Sequence, residues 1–135
     1  ALDHPRVRYL GSLRPEQLAQ AYAAAMGVVV PNIELADGTF EGFGLVAIEA
    51  AAAGGVVLAA SCGGLRQSVI DQTTGFLLPP GQPQDWTAAI NDLVSWPQNQ
   101  RRSFIAGSLT AVEDQFRWPR IAALTLAAYR GLDQV

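Results

Sequence analysis

The chain has 135 residues, 50% of them apolar and 16% charged, with a net charge of −3 and no lysine among its nine basic residues. Such a balance describes one well-buried globular unit. It excludes a basic nucleic-acid surface and any Schiff-base or phosphate-gripping lysine within these residues. Cys62 and His4 are the single cysteine and histidine, so neither an intrachain disulfide nor a four-ligand zinc site can form.

Val7 to Leu10 is a short β-type run ended by Gly11. Arg14-Pro15-Glu16 opens a helix, with proline near its first turn and a carboxylate at its positive end. Leu18, Ala21, Tyr22 and Ala25 recur at helical spacing in it. Gly27 to Val30 reads as a buried strand stopped by Pro31-Asn32, and the polar stretch to Phe40 carries the Asp37-Gly38 turn signal. A second helix is expected from about Gly44 to Ala53, closed by Gly54-Gly55. Val56 to Ala60 is a further β run, Leu65 to Ile70 a short helix, and Gly75 to Leu78 a fourth strand before Pro79-Pro80. From about residue 84 to 135 the chain reads as helical, in segments Asp85–Ser95, Gln98–Gln115 and Pro119 to about Leu132.

Continuous apolar strands alternating with helices predict an α/β fold, a Rossmann-like parallel sheet of about four strands covered on both faces. Ligands bind such sheets beyond the carboxyl ends of the strands. That rim would carry the Gly11 turn, the Asn32–Gly44 loop and the Ser61–Gly64 turn. The longest apolar stretch, from Gly42 to Ser61, is interrupted by Glu49 and several glycines, unlike a membrane span of about 20 apolar residues. No signal peptide is visible.

The segment Glu41-Gly42-Phe43-Gly44-Leu45-Val46-Ala47-Ile48-Glu49 is the candidate site. Its glycines let the backbone approach a ligand and present N–H groups at a helix start, a natural seat for a diphosphate. Glu49 is the one charge between Gly42 and Ala60. A carboxylate there is costly to bury unpaired, and it can accept from two ribose hydroxyls. From the residues alone two plainer readings stay open: a satisfied core carboxylate, and a glycine turn that is only a turn.

The stretch Glu41 to Glu49 resembles the E-x7-E signature of retaining GT-B glycosyltransferases, particularly glycosyltransferase family 4 (glycosyl transferases group 1). Val7–Gly11, Ala21–Pro31, Ala50–Ala60, Ser61–Gly64, Thr74–Gly81 and Phe116-Arg117-Trp118 resemble further family segments in the same order. The resemblance implies that residues 1–135 are a single partial domain, the nucleotide-sugar-binding C-terminal half of a GT-B fold. Glu41 would contact hydroxyls of the donor sugar as the catalytic-site carboxylate. The backbone of Gly42, Phe43, Gly44 and Leu45 would hold sugar and diphosphate, Glu49 the ribose, and Ser12 and Leu13 the base. The donor would be a UDP-, GDP- or ADP-sugar, transferred with retention and without a metal or other cofactor.

The resemblance also implies a parent protein with an acceptor-binding domain, absent here, so that this piece alone is expected to be inactive. A cytoplasmic setting is expected, with peripheral membrane contact of the parent left open. No nucleic-acid partner is expected. Apolar positions 121, 124, 126 and 129 on the last helix predict self-association through an exposed face. Two other classes stay in view: another GT-B enzyme, such as a nucleotide-sugar epimerase or a phosphorylase, and a non-catalytic nucleotide-binding module. Asn32 to Phe40 is longer than the family's usual link, and Arg66 is read as an exposed helix-face arginine rather than a phosphate ligand. Cys62 is read as a small turn residue, and Trp86, Trp96 and Trp118 as packing residues.

Overall fold

A computed structural model of the chain describes residues 4–33 and 42–132. Nine elements follow in order: α1 (Pro15–Ala24), β1 (Val28–Val30), α2 (Leu45–Ala52), β2 (Val57–Ala60), α3 (Leu65–Ser68), β3 (Gly75–Leu78), α4 (Pro83–Ser95), α5 (Gln98–Phe116) and α6 (Trp118–Leu132). The three strands form one parallel sheet in the order β1-β2-β3. Val28 pairs with Val57 and Val30 with Ala59, while Val57 faces Gly75 and Ala60 faces Leu78.

The central strand explains the layering. All four residues of β2 are buried, as expected for a strand covered on both faces. Successive side chains point to opposite sides of the sheet. Val57 and Ala59 accordingly join a core with Val30, Ala47, Ala50, Ala51 and Val112, contributed by β1, α2 and α5. Leu58 joins Val56 and Leu93 in a second core, flanked by Phe76, Trp96 and Phe104. Those three aromatics pack mutually, with ring centroids 5.2 to 5.8 Å apart. Trp86 donates its indole N–H to the Pro79 carbonyl and Trp96 to Asp92. Two of the three tryptophans thus pack as expected, whereas Trp118 is 82% exposed at the start of α6.

The α/β architecture matches the expectation, with one strand fewer among the described residues. Val7 to Leu10 forms no strand, and Val7, Tyr9 and Leu10 are exposed. An apolar β-type run becomes a strand only when a neighbour completes its ladder, and none of the described strands lies beside it. Helices α4, α5 and α6 fall within two residues of the three helical segments read from the sequence. In the last helix, α6, none of the residues whose side chains are described is buried, and Leu124, Leu126 and Tyr129 are exposed.

Candidate functional site

The site gathers along α2, with the turn after β2 packed at its start and α1 beside its second half. Gly44 precedes α2 in the left-handed region, φ 76° and ψ 46°, a conformation open to glycine at little cost. It is buried, and a Cβ there would lie 2.5 Å from Leu65 Cδ2. Gly64 closes the other side: a Cβ on it would collide with the Gly42 carbonyl oxygen and with Phe43 Cα. The two glycine turns are therefore stacked backbone to backbone. Ala47 N–H already bonds the Gly44 carbonyl at 3.0 Å, while the first N–H groups of a helix have no intrahelical acceptor. Phe43 and Leu45 flank that helix start and are exposed.

Alanines set how α2 sits. Ala47, Ala50 and Ala51 form its buried face, and their small size lets the helix lie close to β1 and α5. Leu45 and Glu49, four residues apart and hence on one face, are both exposed. Glu49 is thus not a core carboxylate. It stands on the wall of an open cleft of about 490 Å³, together with Ala52 and Ala53 from the end of α2 and Leu13, Leu18 and Tyr22 from the α1 side. That volume falls in the range of small-molecule sites. Gly55 fixes the α1–α2 contact, since a Cβ on it would stand 3.1 Å from the Tyr22 carbonyl oxygen and 3.0 Å from that of Ala50.

Of the residues singled out in the sequence, the structure brings Leu13 and Glu49 into this cleft. Gly42, Phe43, Gly44 and Leu45 lie at the start of the same helix that carries Glu49. Ser12 is exposed beside Leu13 without lining the cleft. Glu41, together with Glu34 and Asp37 of the long loop, lies outside the described residues.

Two neighbours of the rim have structural duties. The Arg66 guanidinium donates from Nε and Nη2 to the Ser61 carbonyl at 3.0 and 2.8 Å, clamping the turn rather than pointing to a ligand. The Cys62 thiol is buried and donates to the Asn32 carbonyl at 3.4 Å, tying the end of β1 to the end of β2.

Sequence reasoning passed over Tyr22, treating it as a helix-periodic position. Its pKa is raised above the ordinary 10.0, first by burial and next by the negative charge of Glu49. The available signal was a hydroxyl-bearing side chain four residues after Leu18 on an otherwise apolar face of α1.

A profile of the family described as glycosyl transferases group 1 matches residues 4–108. The chain belongs to the glycosyl transferases group 1 family. Among the relatives of this glycosyl transferases group 1 chain is a D-inositol 3-phosphate glycosyltransferase of Mycobacteroides abscessus, 41% identical over 126 residues, which cover 92% of this chain and 26% of that protein. The namesake enzyme of Segniliparus rotundus is 42% identical over 116 residues, 86% of this chain and 24% of its own length.

The structural likeness agrees. Sucrose-phosphate synthase (tll1590) from Thermosynechococcus elongatus superposes with a TM-score of 0.75 at 36% identity, over 96% of this chain and 31% of its own. Anabaena Alr3699/HepE, solved in complex with UDP and glucose, gives 0.67 at 25% identity, over 97% of this chain and 33% of that one. These are GT-B glycosyltransferases, and the α/β unit described above corresponds to part of that fold. The group 1 chain spans about a quarter of the length of the curated relatives it matches. Among its described residues no helix is long and apolar enough to cross a membrane.

Proposed function

We propose that this chain forms the donor-nucleotide side of a retaining, metal-independent GT-B glycosyltransferase whose remaining residues supply the acceptor side. The observation that carries this reading is the cleft that Leu13 and Glu49 share along the second half of α2, the helix whose start follows Gly42 to Gly44. Its support from outside is that the Alr3699/HepE structures hold UDP with glucose and UDP-glucose.

In this reading the nucleoside diphosphate lies along the rim. The base rests against main chain at Ser12 and Leu13, and Glu49 accepts from the ribose hydroxyls. The diphosphate meets the N–H groups of Gly42 to Leu45, where the helix start favours negative charge. Glu41 takes hydroxyls of the transferred sugar. In the transfer, the bond from the anomeric carbon to the diphosphate oxygen breaks. A bond to the acceptor oxygen forms on the same face of the sugar, and the acceptor proton leaves with the diphosphate. Charge builds on the departing diphosphate, so preorganised N–H donors there stabilise the transition state more than the ground state.

The test uses the full-length protein that contains this chain. Release of nucleoside diphosphate from UDP-, GDP- and ADP-sugars is followed for the unaltered protein and for Glu41→Ala, with the affinity for the free nucleoside diphosphate measured alongside. The expected result is turnover of one donor class, a loss of at least about tenfold in Glu41→Ala, and an unchanged nucleotide affinity. Turnover that survives in Glu41→Ala, or nucleotide binding without any transfer or release, would replace this reading with a nucleotide-sensing module. An altered sugar on the same nucleotide would replace it with an epimerase.

A further inference from the structure

We propose that Arg66 is a positioning residue of the diphosphate seat. By clamping the turn after β2 it holds the bed on which Gly42 to Gly44 rest, and so fixes the direction of the N–H groups at the start of α2. The inference rests on the donor-site reading above, which puts the diphosphate at those groups, and adds to it a residue that touches no ligand.

Contacts run outward from Arg66 in steps. Its guanidinium donates from Nε and Nη2 to the Ser61 carbonyl at 3.0 and 2.8 Å, two charge-assisted bonds on one acceptor. Ser61 is itself tied to the sheet, its N–H donating to the Leu78 carbonyl of β3 at 2.7 Å. The Gln67 and Ser68 N–H groups donate to the Gly64 carbonyl at 3.0 and 3.1 Å. The clamp therefore closes residues 61–66 into a loop of fixed shape that contains Gly64.

Gly64 meets the other turn. It is buried, and its backbone lies so close to the Gly42 carbonyl and to Phe43 Cα that no Cβ fits between. Leu65 and Ser68 complete the bed. Both are buried, and the Ser68 Oγ stands 3.1 Å from where a Cβ of Gly44 would be. Gly42, Phe43 and Gly44 thus all rest on residues 64–68. Cys62 adds a strap to the end of β1, through its thiol and the Asn32 carbonyl.

The seat needs such support. Gly42 and Phe43 are exposed and Gly44 is left-handed, and two glycines in three residues give a backbone of wide freedom. Main-chain N–H groups serve a diphosphate well only when they already point at it. Arg66 is exposed and belongs to neither hydrophobic core, so its clamp acts on the turn and not on the core.

The test uses the full-length protein, unaltered and as Arg66→Met and Arg66→Lys. UDP is titrated by calorimetry and uridine is measured by its displacement of UDP, or the guanosine or adenosine pair if that is the base bound. Arg66→Met should weaken UDP about three- to tenfold and leave uridine unchanged. Arg66→Lys keeps the charge but lacks the fork that grips one carbonyl with two N–H groups, so it should weaken UDP nearly as much. In both variants kcat for the donor should fall at least about tenfold, since donors out of line stabilise the departing diphosphate less.

Full recovery in Arg66→Lys would mean that the charge acts on the phosphates directly. An equal loss for UDP and uridine would show general loosening, and unchanged UDP affinity and kcat in both variants would show a turn that holds without its clamp. Each of these overturns the inference and leaves the donor-site reading standing. If the unaltered protein binds the nucleoside diphosphate no better than the bare nucleoside, the diphosphate seat fails, and the donor-site reading with it.

Discussion

The two faces of α2 divide the work of the molecule. One face is Ala47, Ala50 and Ala51, each 1% exposed or less. The other holds Leu45 and Glu49, both exposed. The eight residues are nearly all apolar, so hydrophobicity alone does not separate the faces. Position around the helix does. Ala47, Ala50 and Ala51 permit the close approach that the core requires, Val46 and Ile48 pack half-buried at its edge, and Leu45, Glu49 and Ala52 stay exposed. Substitutions on the buried face should therefore cost stability and leave chemistry to follow it. Those on the open face should cost binding and leave stability alone.

The largest effect that can break this comparison lies at the stacked glycines. Gly64→Ala places a methyl group against the backbone of residues 42 and 43, where no side chain can yield. A loss of about 3 kcal/mol is expected in chemical unfolding of the chain. Ala50→Leu comes next. Ala50 is fully buried against the sheet, and three added heavy atoms have no void to fill, so about 2 kcal/mol should be lost. A neutral result for either would mean that α2 is less closely seated than its burial states.

Smaller still is an alkaline effect on the open face. Burial, and then the charge of Glu49, raise the pKa of Tyr22 above 10.0. The fold thus binds this proton more tightly than the unfolded chain does. Its stabilising contribution is fully present below pH 10.0 and fades as pH rises through the raised folded value. Thermal unfolding followed upward from pH 10 should show a decline that shrinks in Tyr22→Phe and, in part, in Glu49→Gln. A decline identical in all three forms would remove Tyr22 from the account.

The parts of this molecule that the sequence made legible are those set by local pattern. The strand Gly75–Leu78 coincides with its reading, and α5 ends one residue beyond it. Glycine and proline punctuate both, and the buried β2 run needs only its own hydrophobicity to be recognised. Val7 to Leu10 was not legible, because its β-type composition says nothing about whether a neighbour completes its ladder. The site divided in the same way. Glu49 stood out as a lone charge in an apolar run, and the structure adds its exposure and its cleft. Tyr22 did not stand out, since Glu49, which shares its cleft and whose charge raises its pKa, lies on another helix 27 positions along the sequence, a juxtaposition that only tertiary packing creates. Trp118, read as a packing residue, proved exposed because α6 contacts little beyond α5.

The central claim is that the exposed face of α2 serves nucleotide binding and not the fold. Its most direct test is one paired measurement on Glu49→Ala in the full-length protein: nucleoside diphosphate affinity by calorimetry, and unfolding free energy on the same sample. A charged hydrogen-bonding group lost from ribose should weaken binding by roughly 1.5–3 kcal/mol, with stability changed by no more than about 0.5 kcal/mol, as for an exposed position. Normal nucleotide affinity with a clear loss of stability would contradict it, making Glu49 a structural carboxylate and the cleft beside it an ordinary surface groove.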